Sequence, residues 1–179
     1  MNNMETALKI LSDEHKNILK VINALLKECD SIQSENKIDK IYLSQIIDFV
    51  RGYADKFHHA KEENILFKEF NICAEEGCVH CNPVDQMLHE HDLGRNYIKE
   101  LEIGIKEENK SKILQNARGY SQLLKEHIFK EDNILYPMMD EAFNEKIKVR
   151  ILDKFKQVEK ELIKDKEKYS AFLEELKHD

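Results

Sequence analysis

The chain has no tryptophan, two prolines and five glycines in 179 residues. So few turn formers cannot punctuate a many-stranded sheet, and the abundant Lys, Glu, Leu and Ile favour long helices. A concentrated basic face is missing too: the net charge is −7, with acid and base interleaved. That argues against nucleic acid as a partner, because neutralising phosphates needs clustered positive charge. The opening MNNMETALKILSDEHKNILK holds no basic stretch followed by a long apolar run. Neither a signal peptide nor a membrane span is expected, and the cytoplasm is the expected location. There the four cysteines, Cys29, Cys73, Cys78 and Cys81, are expected to be reduced thiols rather than a disulfide framework.

What is present is helical periodicity. A first helix over roughly residues 5–32 carries the stripe Leu8, Leu11, His15, Ile18, Ile22, Leu25. A second, with Asp39 as its N-cap, carries Ile47, Val50, Ala54, His58, Glu62, Ile65. Pro83 suits the first residue of a third helix, whose stripe is Val84, Met87, His91, Gly94, Ile98, Leu101, Ile105. A fourth, over roughly residues 111–143, shows Ile113, Ala117, Tyr120, Leu124, His127, Glu131, Ile134, Met138. The expected fold is all-α, an antiparallel up-down four-helix bundle over residues 1–144. Residues 145–179 are expected to form an additional polar C-terminal helix that lies on the bundle or extends from it.

Each of the four stripes contains a histidine, and two also contain a glutamate one turn later. These two belong to a repeat: HHAKEENILF at 58–67 and HIFKEDNILY at 127–136 agree at six of ten positions. A purely structural repeat keeps its apolar pattern and lets polar identities drift, but here His and Glu are retained. A single core histidine is usually bonded to a carbonyl and needs no ligand. Two buried carboxylates with no Lys or Arg on their stripes are costly unless a metal answers them. Imidazole and carboxylate donors at i and i+4 suit iron or manganese.

The segments DEHKNIL, HHAKEENILF, PVDQMLHEHDLGR and HIFKEDNILYP together resemble the hemerythrin-like (HHE cation-binding) family of di-iron four-helix bundles. The resemblance spans all four helices, over roughly residues 5–140. It implies His15, His58, His91 and His127 as imidazole ligands and Glu62 and Glu131 as bridging carboxylates. The cofactor it implies is a pair of iron ions, oxo- or hydroxo-bridged. The implied partner is a small diatomic ligand or peroxide; no nucleic-acid or membrane partner is expected, and a monomer or homodimer is expected. A ferritin-like site, marked by Glu-x-x-His, fits less well, because here the histidine comes first.

Oxygen-carrying members place two histidines four residues apart on the third helix, whereas the position four before His91 is Met87. The missing imidazole argues against reversible O2 carriage, and His59 is the candidate to replace it. Those carriers also pair the last histidine with an aspartate five residues on, which Asp132 matches; internal symmetry favours Glu131, with Asp132 as the alternative. His89 is expected to face solvent. Cys73, Cys78 and Cys81 form C-x4-C-x2-C with His80 inside. A metal site there lacks a fourth ligand, so an unoxidised loop is the simpler reading. Three functions remain open: binding or reducing O2, NO or peroxide; delivering iron to damaged iron–sulfur clusters; or sensing or storing iron or O2.

Overall fold

The computed structural model describes residues 6–77, 79 and 81–176, and no strand occurs among them. Cys78, His80 and His178 lie outside the described residues. The chain is an all-helical bundle. Helix α1 spans Ala7–Glu35. A second helical stretch opens as α2, Lys40–Phe49, continues through the π-helical turns π1, Val50–His59, and π2, Glu62–Leu66, and finishes as α3, Phe67–Glu75. Helix α4 spans Val84–Lys106. The next stretch comprises α5, Lys110–Lys130, the π-turn π3, Glu131–Leu135, and α6, Tyr136–Ala142. Helices α7, Glu145–Glu161, and α8, Ile163–Glu175, complete the described chain. None of these helices is long and apolar enough to cross a membrane.

Local chemistry sets the helix starts. Thr6, Asp39, Asn109 and Asn144 each accept the backbone N–H three residues ahead, caps worth about 1 kcal/mol apiece. Asp39 caps as expected. Pro83 instead occupies the N-cap of α4. Asn82 Oδ1 takes the Val84 N–H at 3.1 Å, so the helix begins one residue later than the sequence suggested.

The largest departure from simple periodicity lies in the repeat. Both copies of E-[ED]-N-I-L are π-helical, and the Phe67 and Tyr136 N–H groups reach back five residues to the Glu62 and Glu131 carbonyls. A π-turn inserts an extra residue into the helical spiral, so the apolar register slips by one beyond it. Ile134 and Met138, expected on the stripe, are accordingly not core residues. Ile134 is 53% exposed, while Leu135 and Met139 are buried in its place.

Two apolar clusters fill the interior. One centres on Ile18, Leu25, Phe49, Phe57, Ile98 and Leu124, the other on Leu11, Leu66, Phe70, Met87, Leu135 and Phe155. The C-terminal segment contributes to both. It is broken at Leu162, where φ is −107° and ψ 19°, instead of forming one continuous helix. The break lets α7 place Ile151 and Phe155 in one cluster and α8 place Tyr169 and Leu173 in the other.

Helix α8 docks through a close approach. A Cβ on Gly52 would lie 1.7 Å from the Tyr169 hydroxyl oxygen. Replacing an internal helical glycine by alanine ordinarily gains about 1 kcal/mol. Here Gly52→Ala is expected to lose about 1–3 kcal/mol through overpacking, as read by chemical denaturation. The sign should reverse in a Tyr169→Ala background. A single Gly52→Ala variant more stable than the parent would show that the Tyr169 contact is not made.

Candidate metal centre

Between the two apolar clusters lies a polar layer. Along each histidine-bearing stretch the flanking residues belong to opposite clusters: Leu11 and Ile18 about His15, Phe57 and Ile65 about His58, Met87 and Ile98 about His91, Leu124 and Leu135 about His127. The layer contains His15, His58, His59, Glu62, His91, His127 and Glu131, every one buried. All seven residues singled out from the sequence thus come together. His89, by contrast, is exposed.

The donors fall into two groups. His15, His58, Glu62 and Glu131 form one, and His59, His91 and His127 the other, with ligand atoms within 4.8 Å of one another in each. The carboxylates join the two. Glu131 Oε2 lies 3.3 Å from His15 Nε2, and its Oε1 lies 3.2 Å from His127 Nε2. Glu62 Oε2 lies 3.6 Å from His58 Nε2 and 3.5 Å from His91 Nε2. His91 Nε2 and His127 Nε2 are themselves 3.0 Å apart. The i, i+4 spacing therefore does put each His–Glu pair on one face.

The π-turns explain how His58 and His59 both reach the layer. Neighbours on an α-helix are 100° apart, but more residues per turn narrow that angle. The His59 ring stacks on His91 with centroids 3.8 Å apart and 15° between planes.

Three carboxylate oxygens, Glu62 Oε2 and both oxygens of Glu131, are buried without a hydrogen-bond partner. The nearest imidazole nitrogens stand 3.2 to 3.6 Å away. Leaving such atoms unsatisfied costs about 1–3 kcal/mol each, more for charged groups. A cation is the ligand that satisfies them. The donor set, neutral imidazole with carboxylate, fits iron, manganese or zinc and is too nitrogen-rich for calcium or magnesium.

Each of four imidazoles is held from behind by a carboxylate. His15 Nδ1 meets Asp132 at 3.0 Å, His58 Nδ1 meets Glu14 at 2.9 Å, His91 Nδ1 meets Glu63 at 2.8 Å, and His127 Nδ1 meets Glu90 at 2.8 Å. Those acids are clamped in turn. Ser12 donates to Asp132, Lys61 to Glu14, Arg95 to Glu63 and Lys130 to Glu90. Lys61 is fully buried, its ammonium 3.9 Å from the centre of the Phe57 ring. Such carboxylate–histidine pairs fix ring orientation and raise ligand basicity.

Asp132 therefore sits behind His15, outside both donor groups, and Glu131 is the inner acid. Glu14, Glu63 and Glu90 did not emerge from the sequence. Their signal was there: Glu63 and Asp132 each follow the inner acid of a repeat, while Glu14 and Glu90 each precede a stripe histidine. Tyr136 was missed as well. Its hydroxyl donates to Glu62 Oε1 at 2.5 Å. Its ring stacks on His15 at 5.6 Å, as Phe67, its counterpart in the repeat, stacks on His91 at 6.1 Å.

The layer is electrostatically divided. Burial alone would depress the His15 pKa, but Asp132 and Glu131 beside it raise it to about 9. For His127 the same burial is outweighed by Glu131 and Glu90, which raise it to about 10. Burial resists ionisation of Glu131, yet His127 and His15 hold it well below the usual carboxylate range. Burial and the nearby Glu131 push Glu62 well above that range. Burial, with His91 nearby, lowers His59 to about 3. The two inner carboxylates are thus pushed in opposite directions, and binding a cation requires the imidazoles that hold it to be neutral.

Cys73 is buried, its thiol directed at the Ala142 carbonyl 3.6 Å away, and Cys81 is exposed. Neither joins a donor group. Met87 packs in the core where oxygen carriers have a histidine.

No curated protein and no solved structure matches the chain. The family model described as Hemerythrin HHE cation binding domain does match, over residues 6–139. That span takes in α1 through Met139, with every histidine and carboxylate of the buried layer, and the chain belongs to the hemerythrin HHE cation-binding family.

Proposed function

We propose that the chain is an antiparallel up-down four-helix bundle that holds two iron ions and uses them to bind or reduce a small oxidant: O2, NO or peroxide. The observation that carries this reading is the set of orphaned, fully buried oxygens on Glu62 and Glu131, facing imidazoles on both sides. His15 and His58 would hold one ion; His59, His91 and His127 would hold the other. Glu62 and Glu131 would be shared, since each approaches a histidine of both groups. When bound, iron supplies open coordination positions and one-electron redox capacity.

The chain's own residues supply the setting. Asp132, Glu14, Glu63 and Glu90 orient the imidazoles and keep their Nε2 atoms turned inward. Tyr136 donates to Glu62 Oε1 and leaves Oε2 facing the histidines. The apolar clusters above and below exclude water, which strengthens every interaction between ligands and cation. A cytoplasmic location belongs to the same reading.

Protein purified without oxygen is expected to contain two iron ions per chain and to change its near-ultraviolet and visible absorption on exposure to O2. Stripping the metal with a chelator should lower the thermal midpoint, because the buried acids lose their counter-charge. A colourless protein carrying zinc or no metal would sink the reading. His58→Ala and His127→Ala should lose most of their iron while the exposed His89→Ala retains it, as measured by metal analysis. Equal retention in all three would remove the ligand assignment. Glu14→Gln keeps the shape but removes the acid behind His58, and should weaken metal affinity about 10–100-fold in chelator competition.

A further inference from the structure

A cavity of about 420 Å³ opens beside the second donor group, bordered by His59, His91 and Glu90. Its walls come from four parts of the molecule: Val50 and Gly52 of π1, Gly94 and Ile98 of α4, Tyr120 and Leu124 of α5, and Tyr169 of α8. Two polar atoms on its lining residues have no hydrogen-bond partner, the Tyr120 hydroxyl and His59 Nδ1. Both residues are more than nine-tenths buried. His59 Nδ1 lies 3.5 Å from Asp55 Oδ1, at the outer edge of hydrogen-bond range. Unsatisfied buried donors are rare, and each asks for a ligand, a water or an ion.

Charge at the cavity is balanced. Of the three cations in its lining, Arg95 is tied to Asp55 and Glu63, Arg51 is tied to Glu102, and Lys56 is solvent-exposed. Of its acids, Asp48 is paired with Lys168 and Glu90 with Lys130. Beyond these charged groups the polar side chains of the lining are Tyr120, Tyr169, His59 and His91. Such a site makes an anion give up its hydration against a lining in which three acids, Asp48, Asp55 and Glu90, offset the three cations. An uncharged molecule meets the apolar wall of Val50, Ile98 and Leu124 and the unpartnered Tyr120 hydroxyl.

The outer wall belongs to this chain rather than to the matched family region, which ends at residue 139. Tyr169 is held there by the Gly52 close approach, by an edge-on contact with Phe49 at 5.6 Å, and by another with Tyr53 at 6.2 Å.

We propose that this cavity receives the centre's small-molecule ligand as an uncharged species with room for a branched alkyl body, that the Tyr120 hydroxyl takes its polar end, and that Tyr169 sets the size admitted. The substrate class that follows is the neutral oxidants, organic hydroperoxides among them, rather than anions such as superoxide or nitrite. The proposal rests on the di-iron reading for its purpose but not for its test.

The test is binding of two inert probes of equal shape, tert-butanol and the pivalate anion, to the full chain as purified. It is followed by saturation-transfer NMR, with iron content measured on the same sample. Tert-butanol should bind weakly, in the millimolar range expected for so few atoms, and pivalate at least tenfold more weakly. Tyr120→Phe, which keeps the ring, should weaken tert-butanol about 5–10-fold, the loss of one hydrogen bond. Gly94→Leu, which fills the cavity, should abolish binding. The bulkier 1-adamantanol should bind only to Tyr169→Ala. Equal binding of pivalate and tert-butanol, or tert-butanol binding unaffected by both Tyr120→Phe and Gly94→Leu, would overturn the proposal. An iron-free sample that passes these tests would overturn the di-iron reading and leave the cavity assignment standing.

Discussion

Withdrawing a carboxylate from water costs several kcal/mol unless cations or donors answer it, and this protein withdraws two, Glu62 and Glu131, completely and side by side. The middle of the bundle is organised around that cost. Five imidazoles surround the pair; carboxylates stand behind four of them; Lys61, Arg95 and Lys130 stand behind three of those carboxylates. Charge therefore alternates outward in shells. Each shell reduces the cost of burying the one inside it, and the last reaches solvent through Arg95 and Lys130. Lys61 is the exception, a fully buried ammonium that α7 covers with Phe155.

The π-turns serve the same end. An α-helix offers its core one position in three or four, too few to deliver His58, His59 and Glu62 together with the apolar residues that seal them. The wider spiral of π1 turns His58 and His59 into the layer as neighbours. The later turns π2 and π3 then reset the register, so that Leu66 and Leu135 close the far side. Departures of this kind are uncommon and concentrate at functional sites. Here they occur in the two segments that also carry the inner carboxylates.

This explains how far the sequence was legible. The stripes located His15, His58, His91, His127, Glu62 and Glu131, because core-facing positions on a long helix recur every three or four residues whatever chemistry they carry. The same rule misplaced Ile134 and Met138, because a one-residue slip leaves no mark in a pattern that assumes regular turns. The outer carboxylates were hidden for another reason. Glu14, Glu63 and Glu90 sit off the stripes, where acids are ordinarily solvated, and only the third dimension shows that each reaches a histidine on another helix. Tyr169 was least legible of all. It lies in a charged segment whose apolar residues are sparse, and its role depends on the missing side chain of Gly52, more than a hundred residues away.

The repeat also defines how the two donor groups differ. Helix α1 with the second stretch, and α4 with α5–π3–α6, are arranged alike: Glu14 and Glu90 precede His15 and His91, Lys61 and Lys130 follow His58 and His127 by three residues, and Phe67 matches Tyr136. Two substitutions break that likeness. His59 has Ile128 as its counterpart, which adds an imidazole to the second group. Tyr136 stands where the first copy has Phe67, which adds a hydroxyl beside His15. One group is therefore closed by a tyrosine whose hydroxyl is already committed to Glu62. The other is flanked by a cavity where the Tyr120 hydroxyl has no partner. A near-symmetric scaffold has become two unequal positions, one sealed and one approachable. Inequality of that kind is what a site needs if it is to hold its cation firmly and still admit a ligand from a single side.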